Sequence, residues 1–269
     1  MKNVLLLVHD DSGQEARLQC ALDLTRALSG HLFCMDVVQV PVLVGAEFGA
    51  AQAQAMLLED TRETEAANER KIKARLTVED IAWNWRNGVG DMAPLLIEAS
   101  NLVDVLVLNT ALPSGSGPDM RWIISSVVTE SGKPVLAVPP ATKKLDVTGE
   151  ALVAWNGSPP VAETLRAAVP LLSLAAGVKI LQIGEAEGET AEEAAAYLSR
   201  HGIHARIERQ DASVDGGSDG ERLLAYCRSI EPAYCVMGAY GHGRIRESLF
   251  GGVTRLLLRD SPVPLFIGR

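Results

Sequence analysis

Tyr234-Cys235-Val236-Met237 runs into Gly238-Ala239-Tyr240-Gly241-His242-Gly243-Arg244, and Gly251-Gly252-Val253-Thr254 follows seven residues later. Four apolar residues ahead of the cluster read as a buried strand. The pattern from Leu249 to Leu258 reads as a helix whose regular turns begin at Gly251 or Gly252. Glycines between a strand and a helix have a physical use. Backbone without Cβ approaches a phosphate closely and aims its N–H groups at it. The helix start behind the loop adds unpaired N–H donors and a partial positive charge. Arg244 and Arg246 add full charges, so the stretch has the makings of a polyphosphate cradle.

Three familiar phosphate sites do not fit. The sequence has no GxxxxGK[ST] and hence no P-loop. Gly241-His242-Gly243 is followed at 246 by Arg where GxGxxG needs its third glycine, and it follows a late strand, which excludes a Rossmann fingerprint. No SGGxDS-like loop follows the first strand of either half, which argues against an ATP pyrophosphatase.

Outward from the cluster, the chain reads as two similar halves. Val4 to Val8, a polar turn His9 to Gly13, a helix Glu15 to Leu28 and a strand Leu32 to Val40 open the first. Ala151 to Trp155, a turn Asn156 to Pro160, a helix Val161 to Ala175 and a strand Val178 to Ile183 open the second. A long helix over Ala46–Leu76 answers a short one over Thr190–Arg200. Strands Val78–Trp85 and Ala205–Arg209 follow, then helices Met92–Ser100 and Gly220–Ile230. Strand Val103–Leu108, a helix over about 120–131 and strand Pro134–Val138 close the first half. Tyr234–Met237, the helix after the glycines and Pro264–Ile267 close the second. Alternating strands and helices predict an α/β protein of two tandem doubly wound domains. The expected boundaries are 1–140 and 147–269, joined by a linker at 141–146.

Gly238-x2-Gly241-x9-Gly251, set between the fourth strand and last helix of the second half, resembles the nucleotide motif of the universal stress protein family, G-x2-G-x9-G-[ST]. The first strand and turn of each half and the closing apolar strands share the likeness. The chain thus resembles a tandem member along nearly its whole length. That resemblance implies five parallel strands per domain, closing strands that pair across the domains as a pseudo-dimer, and room for a further homodimer. It implies ATP or AMP, with or without magnesium, in the second domain: Asn156 and Gly157 at the first turn, and Ile183 offering backbone to adenine. Gly238, Gly241, His242, Gly243, Arg244 and Gly251 would line ribose and phosphates, with Gly252, Val253 and Thr254 at the helix start. Two positions depart from the pattern. Asn156 replaces the usual aspartate and Gly252 the usual hydroxyl residue, each removing a contact worth about 1–2 kcal/mol, which predicts a weaker site. In the first half Asn109 stands where Gly238 stands, and Pro113 and Pro118 remove donors. Asp10 there keeps the acidic position, but no ATP site is expected.

Composition bounds the rest. Hydrophobic residues make up 47%, charged residues 22% and aromatics only 4%, so the chain folds and its core is aliphatic. A net charge of −9 disfavours nucleic acid. No apolar run is long enough for a membrane span, and Val4–Val8 is too short for a signal core, so a cytoplasmic protein is expected. Cys20, Cys34, Cys227 and Cys235 form no CxxC and read as buried free thiols. No metal set is expected: His201 and His204 read as surface residues. Asp10, Asp11, Asp104 and Asp119 admit a divalent ion, against helix capping by Asp11 or Ser12. Trp83 and Trp85 share one strand face and are expected to cover the sheet with a helix. No catalytic nucleophile or general base is identifiable, so an enzyme is not the leading expectation, although slow ATP hydrolysis occurs in some relatives. The competing readings are that ATP-hydrolysing switch and an interaction protein that docks an unidentified partner through the Ala46–Leu76 helix or a patch near Phe48.

Overall fold

The computed structural model describes residues 1–39, 50–111, 119–211, 217–239 and 251–269. The first half contributes β1 (Asn3–Val8), α1 (Gln14–Ala27), β2 (His31–Val38), α2 (Ala50–Leu76), β3 (Ala82–Val89), α3 (Met92–Ala99), β4 (Val105–Asn109), α4 (Met120–Ser126) and β5 (Val135–Val138). The second contributes β6 (Glu150–Trp155), α5 (Pro159–Leu172), β7 (Gly177–Ile183), α6 (Ala191–Arg200), β8 (Ala205–Gln210), α7 (Asp219–Ile230), β9 (Tyr234–Gly238), α8 (Gly252–Asp260) and β10 (Leu265–Gly268).

The ten strands of the described residues join one sheet in the order β3-β2-β1-β4-β5-β10-β9-β6-β7-β8. Each half runs in the same sequence outward from the middle, and its strands are parallel. The halves meet where β5 and β10 pair antiparallel, with Leu265 opposite Ala137, Phe266 opposite Leu136 and Ile267 opposite Val135. Two short apolar strands that would otherwise be exposed edges cover one another, as the resemblance implied.

Period-two alternation splits the core cleanly. On β1, Val4, Leu6 and Val8 pack under α1, while Leu5 and Leu7 face α3 and α4. The same division places α5 and α6 on one face of the second half and α7 and α8 on the other. Both faces are covered, which is why the strands read as nearly continuous apolar runs. The stretch between the halves is docked on them. Leu145 is buried and its amide donates to Asp23 Oδ2 on α1 at 3.0 Å.

Three expectations shift. The strand expected over Val78–Trp85 lies over Ala82–Val89. Residues 77–81 form a turn instead, because Glu79 and Asp80 bond the Arg26 guanidinium at 2.8 and 2.9 Å. The helix expected over 120–131 is α4 followed by a π-helical turn, Val127–Ser131. Neither Asp11 nor Ser12 caps α1, whose N-cap is Gly13. Asp11 bonds Gly13 N at 2.7 Å and the buried Arg17 guanidinium at 3.0 Å instead. Trp83 and Trp85 do pack against the core beneath the helices, and the Lys73 ammonium on α2 sits 5.1 Å from the Trp85 ring centroid. Phe48 lies outside the described residues.

Candidate functional site

A cavity of about 340 Å³ opens at the carboxyl ends of β6, β7 and β9. This is the crevice where doubly wound sheets place ligands, and the volume suits a small molecule. Its base is apolar (Leu181, Ile183, Met237), α7 contributes Leu223, and the start of α8 closes the far side. Among the predicted residues, Asn156, Ile183, Gly238, Gly251, Gly252, Val253 and Thr254 all line it. Gly241, His242, Gly243 and Arg244 lie outside the described residues, as do Pro113, Pro118 and Arg246.

The first turn is built by local hydrogen bonds. Asn156 Oδ1 accepts from Ser158 N at 3.2 Å and Ser158 Oγ at 2.7 Å. The amide thus folds the turn that starts α5, and Pro159 fits the first helical position because its missing N–H is not needed there. Gly157 adopts φ +76°, and a Cβ on it would stand 2.5 Å from Glu189 O. This close approach lets the segment after β7 lie over the turn. Glu187 N donates to Asn156 O at 2.8 Å and Trp155 Nε1 to Glu189 O at 2.9 Å. Gly157 therefore shapes the wall and is not among the lining residues.

The glycines of the motif divide into two kinds. Gly238 is a packing glycine, since its Cβ would meet Val161 N at 2.6 Å and Val161 Cα at 2.8 Å. Gly251 and Gly252 are the reverse. Among the described residues, a Cβ on either would meet nothing within 4 Å, and neither has a positive φ. Gly251 is the N-cap of α8 and offers no side-chain cap to the first N–H groups of that helix. No described residue crowds these two positions.

Sequence reading missed the acidic rim. Glu185 and Glu187, after β7, and Asp219, at the start of α7, line the mouth of the cavity. They belong to no motif: the segment that folds back over Gly157 brings Glu185 and Glu187 there, and the start of α7 brings Asp219.

At the corresponding end of the first half, the described residues form a hydrogen-bonded network. Arg17 is fully buried and donates to Leu7 O at 2.6 Å and His9 O at 3.0 Å. His9 Nδ1 lies 2.7 Å from Glu65 Oε1 of α2, and Gln14 and Asn68 exchange two hydrogen bonds of 2.7 Å. Burial works against a charged His9, but the bond and charge of Glu65 outweigh it and hold the imidazole above its ordinary pKa. Asp36 is 2% exposed, and burial with Glu65 and Glu69 nearby pushes its carboxyl up to about 7. The N-terminus of α4 is occupied by its own carboxylate: Asp119 Oδ1 accepts from Arg121 N at 3.0 Å. Asp10 is exposed and its carboxylate is not among these partners. Asp104 lies at the opposite end of the sheet, bonding Lys2 N at 2.6 Å and Asn3 N at 2.8 Å, so the four aspartates do not converge on an ion. His201 ends α6 with its ring 4.9 Å from that of Tyr197.

Residues 151–269 match the model of the universal stress protein family. The second half of this chain is a universal stress protein domain. Solved structures extend the fold over both halves. A universal stress protein from Archaeoglobus fulgidus superposes with a TM-score of 0.70 at 17% identity, covering 99% of this chain and 96% of its own. A putative universal stress protein from Pseudomonas aeruginosa gives 0.57 at 14%, covering 99% and 93%. A functionally unknown protein from the same species gives 0.60 at 12%, covering 99% and 92%. No curated protein matches the chain. Among the described residues, no helix is long and apolar enough to cross a membrane.

Proposed function

We propose that this chain binds an adenine nucleotide, ATP or AMP, in the cavity of its second half and acts as a nucleotide-dependent regulator of the stress response. The observation that carries the reading is the pair Gly251 and Gly252. Glycine at the start of α8 costs helix stability, and no neighbour explains it. A phosphate seated on the first N–H groups of that helix, which no N-cap side chain bonds, does. The apolar base formed by Leu181, Ile183 and Met237 suits a purine face, and Asn156 stands at the rim with its amide nitrogen as donor. The division into a binding domain over 147–269 and a structural copy over 1–140 belongs to the same proposal. It is supported in the first half by Asn109, which is fully buried, and by Asp119, which caps α4.

Calorimetric titration of the full chain with ATP and with AMP, with and without magnesium, tests the reading. One site per chain is expected. Gly252→Leu, which sends a side chain into open cavity without touching the fold, should weaken binding at least tenfold. Absence of heat with either nucleotide at millimolar concentration would remove the proposal. A second reading, partner docking through α2, draws on Met56 and Leu57, which are 69% and 42% exposed on that helix. Charged replacements at both positions should then abolish partner capture and leave the titration unchanged.

A further inference from the structure

On the sheet face that carries α3, the cover thins toward the edge strand β3. A second cavity, of about 360 Å³, opens there over β2 and β3. Leu5, Phe33, Met35 and Ala99 give it apolar walls, and Asn84 and Arg86 on β3 give it a polar one. The volume suits a small molecule. Its described lining residues all belong to the first half, so it is distinct from the crevice at β6, β7 and β9.

The internal repeat shows what the same place holds in the second half. Three residues along the central strand from the pairs Val4–Val105 and Ala151–Tyr234 stand two equivalent rows. They are Leu7–Met35–Arg86 in the first half and Ala154–Leu181–Glu208 in the second. In the second half α7 has 12 residues, and its Tyr226 packs on the apolar cluster of this face and donates its hydroxyl to Glu208 Oε2. In the first half α3 has only 8 residues and ends at Ala99, on the cavity wall. Arg86 stands where Glu208 stands. Its partner on α3 is Glu98, 3.6 Å away, with the two side chains 63% and 68% exposed. One half thus covers the site with its own ring and hydroxyl against a carboxylate. The other presents a guanidinium beside a cavity.

We propose that this first-half cavity binds a small aromatic carboxylate. The ligand reverses the polarity of the Tyr226–Glu208 pair. Its ring lies on the half-buried Phe33 and against Met35, and its carboxylate accepts from Arg86, whose planar fork matches the two oxygens. Phe33 is braced for this role by His31, whose ring centroid lies 4.6 Å away at an interplanar angle of 45°. His31 Nε2 lies 2.6 Å from Asn84 Oδ1, so the Asn84 amide has its oxygen engaged and its nitrogen as a further donor. The Arg86–Glu98 contact is an exposed ion pair of small worth, and the ligand carboxylate displaces it. Leu5, Met35 and Ala99 offer no side-chain donors, which selects a ring bearing a single anionic group over a bare inorganic anion. The inference does not depend on what the second-half cavity binds.

Calorimetric titration of the full chain with cinnamate tests the proposal, with cinnamyl alcohol as the neutral analogue. Cinnamate should saturate one site per chain. Replacing the carboxylate by the alcohol, or Arg86 by Gln, should each weaken binding by about tenfold or more, the worth of a charge-assisted hydrogen bond. Glu98→Gln removes the competing carboxylate and should tighten binding severalfold. Arg86 and Glu98 are both exposed, so these variants keep the fold. Phe33→Ala should weaken binding through loss of the ring contact, and circular dichroism reports whether that variant is folded. No saturation at millimolar cinnamate, equal binding of the alcohol, or binding untouched by Arg86→Gln would each overturn the proposal. Binding lost in Gly252→Leu but kept in Arg86→Gln would place the ligand in the second-half cavity and overturn it as well.

Discussion

Gly238 at the end of β9 faces the backbone of Val161 in the first turn of α5, where a Cβ would stand 2.6 Å from the Val161 amide nitrogen. The obstacle is helix backbone, which cannot rotate away. Gly238→Ala should therefore destabilise the chain by roughly 1–3 kcal/mol, the usual cost of overpacking. Gly252→Ala points into open space within a helix and should stabilise it by about 0.5–1 kcal/mol. Urea denaturation of both variants checks the opposite signs. Equal losses would mean that both glycines serve packing.

That contrast marks what the sequence made legible. The alternation of Val4 to Val8 with a helical pattern, repeated at Ala151, carries the α/β order, because parallel strands covered on both faces leave the same apolar record wherever they occur. The spacing Gly238-x2-Gly241-x9-Gly251 points to the crevice that Gly238 and Gly251 line. It did not distinguish the glycine that packs from the glycines that leave space, since that depends on Val161, far away in sequence. The acidic rim at Glu185 and Glu187 was invisible for the same reason. The misplaced β3 has a local cause. Val78 and Ile81 look like strand residues, but Glu79 and Asp80 between them are claimed by Arg26.

Asp36 gives the first half a pH dependence of known sign. Its folded pKa is raised to about 7 by burial and by the charges of Glu65 and Glu69. The folded chain then holds a proton that the unfolded chain has already released, so stability falls as pH rises from about 4 to about 7. His9, raised in the folded state, acts in the same direction, its contribution being present below about 6.5 and lost as pH rises through its folded value. Asp36→Asn removes the carboxyl contribution. At about 1.4 kcal/mol per pKa unit, the variant should gain up to about 4 kcal/mol over wild type at pH 8 and nothing at pH 4. Denaturation curves at the two pH values decide it, and a gain independent of pH would refute the assignment.

Arg17 predicts a loss of the opposite kind. Its guanidinium is fully buried and its carboxylate partner is Asp11, at 3.0 Å. Asp11→Ala leaves that charge in the interior with only the carbonyls of Leu7 and His9, which should cost about 3–5 kcal/mol. Arg17→Met with Asp11→Ala removes both charges and should recover most of that loss. A double variant no more stable than the single one would show that the pair does not act through burial of charge.

The antiparallel meeting of β5 and β10 predicts how the molecule comes apart. Phe266 is fully buried opposite Leu136, in a pairing only three residues long. Those few residues fuse two half-sheets into one, and the apolar side chains of both strands lie in a continuous core. The intact chain should then unfold in a single transition, with tryptophan fluorescence and far-ultraviolet circular dichroism coinciding. Phe266→Ala should cost about 3–5 kcal/mol through the cavity it leaves. Phe266→Asp places an unpaired charge at the seam and should do more than lower the midpoint. It should separate the halves, so that Trp155 in the second half and Trp83, Trp85 and Trp122 in the first report different transitions. Single-tryptophan versions of the Asp variant distinguish the two signals. Coincident transitions in that variant would show that the docked connector around Leu145, and not the strand pair, holds the halves together.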